Sequence, residues 1–220
     1  MKAIALLSIF ALTLVQGTVD FKPKVGQKLR YAAHLSLDIG GNEATVDSTI
    51  DTEVKKSDDK VIEITGKWSD LKIAVGGNEI DANASDSTAE FDPSGKPIMI
   101  RGGIEGSDAV QQLLVTLFIP PMGKELTPGM KYTVDVPAVK DEIPAFKYEG
   151  EYVGKETLDG KTVHRFKAVG TVAGEGGMKT TQTILVKEDG VTQKVEAEFK
   201  GMDVPAAGAK ADGKATLTLK

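Results

Sequence analysis

Cysteine is absent from all 220 residues of the sequence. That excludes disulfide staples, thiolate nucleophiles and Cys-ligated metal, so a hydrophobic core has to carry the stability. Histidine occurs only at His34 and His164, with no HxH or HExxH spacing, which removes the usual imidazole metal centre. GxSxG, SxxK and P-loop patterns are also missing, and the glycine-rich run 170–177 lacks the Lys-Ser/Thr ending of a phosphate loop. Charges of either sign are never gathered into blocks, so nothing concentrates enough positive charge to release counterions from a nucleic acid. Beyond Val15 no apolar run is long enough to cross a membrane as a helix. These absences predict a non-enzymatic protein with no cofactor, no metal and no nucleic-acid partner, and not an integral membrane protein.

What is present begins with a leader. Residues 1–17 hold one early Lys2, an apolar run from Ala3 to Val15 and a compact Gly17, the composition of a secretory signal peptide cut after Gly17. An exported chain, periplasmic or extracellular, is expected to start at Thr18. Losing Lys2 leaves 26 Lys plus Arg against 32 Asp plus Glu, a net charge of −6.

Most of the remainder reads as strands and turns. Leu29, Tyr31, Ala33, Leu35, Leu37 and Ile39 alternate with Arg30, Ala32, His34, Ser36 and Asp38, the pattern of a half-buried strand with His34 on its polar face. Gly40-Gly41-Asn42-Glu43 then predicts a tight hairpin into a strand that points Ala44, Val46, Ile50 and Val54 inward. Ile62, Ile64 and Trp68 share the next face, and Leu71, Ile73 and Val75 suggest a separate short strand before a second Gly-Gly-Asn-Glu turn at 76–79. Acidic residues at these turns are expected there for turn formation, and lack the dense spacing of a calcium loop. The polar stretch 81–88 reads as an exposed edge or loose loop. Asp92-Pro93-Ser94-Gly95 predicts a turn between strands, and Gly102, Gly103 and Gly106 a hinge. The stretch 205–213 reads as a loop ahead of a short final strand at Ala215, Leu217 and Leu219.

One helix is expected, over 107–123. Val110, Leu113, Leu114, Leu117 and Phe118 fall at i, i+3, i+4, i+7 and i+8, with Ser107 as N-cap and Pro120-Pro121 as a stop. After it the pattern restarts. Gly129-Met130-Lys131 matches Gly26-Gln27-Lys28, the turn at 158–161 matches 57–60, and 187–190 matches 92–95. The sequence therefore predicts a single β-rich domain over 18–220 with an internal duplication: 18–106, the central helix, and 124–220. The fold class expected is mainly β, a long antiparallel sheet or half-barrel in two related halves wrapped around one central α-helix.

In its order of elements the chain resembles the half-barrel fold of periplasmic lipoprotein carriers. It is also similar to uncharacterised secreted bacterial β-rich proteins of domain-of-unknown-function type, which carry paired GxK strand openings and Asp-Gly hairpins. The carriers hold acyl chains against the concave side of the sheet. The resemblance thus implies a secreted or periplasmic binding protein holding a hydrophobic ligand between sheet and helix, lined by Trp68, Val110, Leu113, Leu114, Leu117, Phe118, Phe146, Tyr148 and Tyr152. The alternative is a structural or interaction protein of the cell envelope with no small-molecule ligand, in which the helix fills the concave face. An aromatic content of 5% fits that alternative better than a roomy cavity.

Overall fold

Alternating apolar and polar residues become strands because successive side chains leave a strand on opposite faces, so one face can be buried whole. A computed structural model of the protein describes residues 17–19, 23–80, 83–104, 125–136, 138, 145–173, 177–204 and 208–220. Its elements are β1 (Gly17–Thr18), β2 (Lys28–Ile39), β3 (Asn42–Ser57), β4 (Ile62–Val75), β5 (Asn78–Ile80), β6 (Ala84–Phe91) and β7 (Pro97–Ile104), followed by β8 (Glu125–Leu126), β9 (Lys131–Val136), β10 (Phe146–Leu158), β11 (Lys161–Val172), β12 (Lys179–Val186), β13 (Thr192–Val204) and β14 (Ala209–Leu219). Twelve strands form one sheet in the order β7-β6-β4-β3-β2-β14-β13-β12-β11-β10-β9, with β5 alongside β4, while β1 and β8 pair separately. The sheet is antiparallel and barrel-like, nearly closed, with β7 and β9 at its ends. No helix occurs among the described residues. The helix expected over 107–123, with Val110, Leu113, Leu114, Leu117 and Phe118, lies outside them.

Two meanders make this sheet, and they meet where β2 pairs β14. The core lies on the inner face. It gathers Leu35, Leu37, Ala44 and Val46 from the first meander with Phe146, Tyr148, Tyr152, Phe166, Ile184 and Phe199 from the second. Val19 and Leu126, at the β1–β8 pair, are buried in the same cluster.

Hairpin turns follow local chemistry. Ile39 faces Asn42 across a two-residue loop in which Gly40 and Gly41 both have positive φ (62° and 90°), the turn whose twist matches that of its flanking strands. Several turns recur between the meanders. The Gly26 amide donates to the Val54 carbonyl (2.8 Å) and the Val54 amide to the Gln27 carbonyl (3.0 Å). Gly129 donates to Tyr152 (2.8 Å) and Tyr152 to Met130 (2.9 Å) in the same manner. At the later hairpins Asp92 donates to Lys96 and Gly95 to Asp92 (both 2.8 Å), as Lys187 does to Val191 and Gly190 to Lys187 (both 3.0 Å).

Several local expectations are corrected. Leu71–Val75 is not a separate strand but the end of β4: a bulge opposite Ser48, with Asp70 at φ 54°, shifts the phase of the alternation and returns Leu71 and Ile73 to the core side. Of the polar stretch 81–88, residues 81 and 82 lie outside the described residues and Ala84 onward is strand β6, which pairs with β7 along its length and with β4 from Ser87 to Phe91. Of the glycines expected to form a hinge, Gly102 and Gly103 lie within β7, and Gly106 lies outside the described residues. The final strand begins at Ala209, so Ala209–Gly213 is sheet, and it joins the two meanders.

Candidate inner-face site

Carrying the strand register across the sheet lines up the side chains of its inner face. Tyr132 on β9, Gly150 on β10, Ala168 on β11, Gln182 on β12, Ala197 on β13 and Ala215 on β14 stand in one row, which continues through Leu35, Val46 and Ile73. From Gly150 to Ala215 this row is a lane of small side chains interrupted by the buried Gln182. On one side it is flanked by Tyr148, Gly170, Thr180, Phe199 and Gly213, and on the other by Tyr152, Phe166, Ile184 and Val195.

The glycines in these rows have a specific task. A Cβ on Gly150 would lie 2.1 Å from Tyr132 Oη, one on Gly170 2.6 Å from Tyr148 Cε1, and one on Gly213 2.7 Å from Phe199 Cζ. Each aromatic ring therefore lies down over a glycine on the neighbouring strand, where any side chain would prop it away from the sheet. The rings also pack on one another. Phe146 and Tyr148 meet edge to face at 5.1 Å between centroids, as Tyr132 and Phe166 do at 6.3 Å, while Tyr152 and Phe166 lie tilted at 47° with centroids 5.2 Å apart.

Of the residues expected to line a ligand, Phe146, Tyr148 and Tyr152 come together on β10, each at most 3% exposed. Trp68 is half-buried against the same core, with its Nε1 donating to Ser87 Oγ at 3.4 Å, but six strands separate β4 from β10 along the sheet. Val110, Leu113, Leu114, Leu117 and Phe118 lie outside the described residues. The lining expected from the sequence did not include Tyr132, Phe166 or Phe199, which stand in the same rows. Phe166 was legible in principle, since it alternates with Ala168 and Val172 on one face of β11.

At one end of the aromatic rows sits His164, fully buried, with Tyr152 Oη 3.0 Å from its Nδ1. Its Nε2 lies 3.9 Å from Glu188 Oε1, and Glu188 is held at 2.9 Å by Lys155 Nζ. Burial keeps the imidazole pKa below its ordinary range; the Lys155 ammonium pushes it the same way and Glu188 opposes. The carboxylate near Nε2 favours the tautomer protonated there, so the Tyr152 hydroxyl donates to Nδ1. The other histidine, His34, is exposed, with Nδ1 2.7 Å from Asp47 Oδ1.

Three open clefts also occur on the described surface. One of about 480 Å³ is bordered by Asp38, Glu198, Asp212 and Lys214, one of about 740 Å³ by Lys131, Glu149 and Lys167, and one of about 590 Å³ by Asp135, Phe146, Lys147 and Val169. Trp68, Tyr148 and Tyr152 line none of the three. Among the described residues no group of three His, Asp or Glu is arranged to hold a metal ion, and no helix is long and apolar enough to cross a membrane.

No protein-family model and no curated protein matches the chain. Two solved structures are similar to it. A DUF1329 family protein from Desulfovibrio piger is 9% identical, covering 89% of this chain and 84% of its own, at a TM-score of 0.27. A domain described as an outer membrane lipoprotein-sorting protein, from Vibrio parahaemolyticus, is 8% identical, covering 90% and 86%, at a TM-score of 0.25. At TM-scores this low, neither likeness bears on what the chain does.

Proposed function

We infer that the chain is an exported, non-enzymatic binding protein that holds a hydrophobic ligand against the inner face of its sheet. The observation that carries this reading is the largely apolar inner face itself: a lane of Gly150, Ala168, Ala197 and Ala215, broken only by the buried Gln182, between rows that hold Tyr148, Phe199, Tyr152, Phe166 and Ile184, on a sheet whose end strands β7 and β9 do not pair with each other. Small side chains let a second layer approach the backbone closely, and aromatic walls give it apolar area to bury. Phe146, Tyr148 and Tyr152 serve as walls, with Trp68, Val110, Leu113, Leu114, Leu117 and Phe118 as the remaining lining expected from the sequence. We infer also that 18–106 and 124–220 are copies of one β unit, a reading supported by the matching turn hydrogen bonds at Gly26 and Gly129.

A second reading, an envelope protein with no small-molecule ligand, is favoured by one observation: Tyr148, Tyr152 and Phe166 are at most 2% exposed within the chain alone, which leaves a ligand something to displace. Native mass spectrometry of protein purified from its secreting host separates the two. The binding reading expects added mass in the range of a lipid that detergent strips off and oleic acid restores. A bare mass unchanged by oleic acid favours the structural reading. The same spectra test export, since the mature chain is expected to start at Thr18.

A further inference from the structure

The inner-face reading leaves His164 without a role, although its ring joins three parts of the second meander. On β10 it meets Tyr152, and Lys155 is its partner in the strand register. On β12 its register partner is Val186, which brings no charge. From the β12–β13 turn comes Glu188, with its carboxylate 3.9 Å from Nε2 and 2.9 Å from Lys155 Nζ. Arg165, next along β11, points to the other face, where it pairs with Glu156 at 3.1 Å.

We propose that His164 is an acid-operated catch: protonation turns Nδ1 from an acceptor into a donor, reversing the present bond from Tyr152, and puts a second cation beside Glu188, which competes with Lys155 for its carboxylate. A neutral imidazole accepts at one nitrogen and donates at the other, whereas an imidazolium donates at both. The Tyr152 hydroxyl, fully buried, must then turn its proton toward another acceptor inside the core. The main chain of the same residue holds the turn ahead of β9: Tyr152 donates to the Met130 carbonyl at 2.9 Å and accepts from Gly129 at 2.8 Å, so these amides are placed to report a shift of its ring. That turn opens β9, the end strand of the sheet.

The direction of the response follows from burial. With the folded-state pKa below the unfolded value of about 6.5, the neutral ring contributes its full stability above that pH. The contribution is lost as pH falls from about 6.5 through the folded-state value. The catch is therefore closed at neutral pH and opens in acid.

With two histidines in the chain, the His34→Gln variant leaves a single imidazole resonance to follow by NMR. Its midpoint is expected below about 6.5, with the Gly129 and Tyr152 amides shifting at the same midpoint. Lys155→Met is expected to raise that midpoint, and Glu188→Gln to lower it further. A midpoint at or above about 6.5, one that neither variant moves, or amides that do not follow it would each overturn the catch. Should a variant fail to fold, melting supplies the test: His164→Gln is expected to lose less in melting temperature between pH 7 and pH 5 than the wild type, and equal losses refute the proposal.

Discussion

Replacing Gly150 with alanine tests whether the aromatic rings lie against the sheet as described. The added methyl would sit 2.1 Å from Tyr132 Oη and 2.2 Å from its Cζ, far inside van der Waals contact, so the ring must lift. Lifting it breaks the edge contact with Phe166, whose centroid is 6.3 Å away. Overpacking of this kind costs about 1–3 kcal/mol, while alanine recovers about 0.5–1 kcal/mol by restricting the unfolded chain. The net expectation is a loss of about 0–2.5 kcal/mol, or up to about 10 °C in melting temperature for a domain of this length. Both terms are small enough that the sign decides. Denaturant melts of Gly150→Ala, Tyr132→Ala and the double variant form a cycle, in which the double should be more stable than the two single losses added together, because without the ring the methyl meets nothing. If Gly150→Ala is more stable than the wild type, or the losses add within about 0.5 kcal/mol, Tyr132 does not lie over Gly150 and the lane is not built as described.

Three further outcomes are expected. Phe166→Ala, at a fully buried ring packed between Tyr132 and Tyr152, should cost about 3–5 kcal/mol in chemical denaturation. Tyr152→Phe keeps the ring but leaves a buried imidazole nitrogen without its hydroxyl, so a loss of about 1–3 kcal/mol is expected at pH 7 by the same assay. Asp58 caps the β3–β4 turn: the Val61 and Lys60 amides and the Lys56 ammonium hold its pKa at about 2, so its contribution is present above the ordinary aspartate value of about 3.9 and is lost as pH falls toward 2. Melting curves of wild type and Asp58→Asn should accordingly converge across that interval.

The sequence showed most clearly those strands whose pattern is set within the strand itself. Leu35, Leu37, Ala44 and Val46 alternate without interruption, and the Gly40-Gly41 pair accepts the positive φ of the turn between them, so β2 and β3 were legible. Where a bulge intervenes the pattern breaks. The even spacing of Ile62, Ile64 and Trp68 gives way to the odd spacing of Leu71 and Ile73, which read as two strands until Asp70 supplied the missing residue of the bulge. The same effect hid His164. It and Val163 are both buried, and β10 opposite is bulged between Tyr152 and Gly154, so no alternation marked which face the ring took.

β6 and the first part of β14, Ala209–Gly213, were missed for a different reason. Their own side chains are weak strand formers, and what makes them strands is the pairing on both sides, with β4 and β7 for one and with β13 and β2 for the other. Gly213 in β14 is the plainest case, since a Cβ there would lie 2.1 Å from the Ser36 carbonyl oxygen and 2.7 Å from Phe199 Cζ. The requirement for glycine at that position comes from β2 and β13, not from its neighbours in sequence. The same holds for the candidate site. The even spacing of Phe146, Tyr148 and Tyr152 puts them on one face of β10, whereas the small residues that let rings lie flat gain their meaning only from the register between strands.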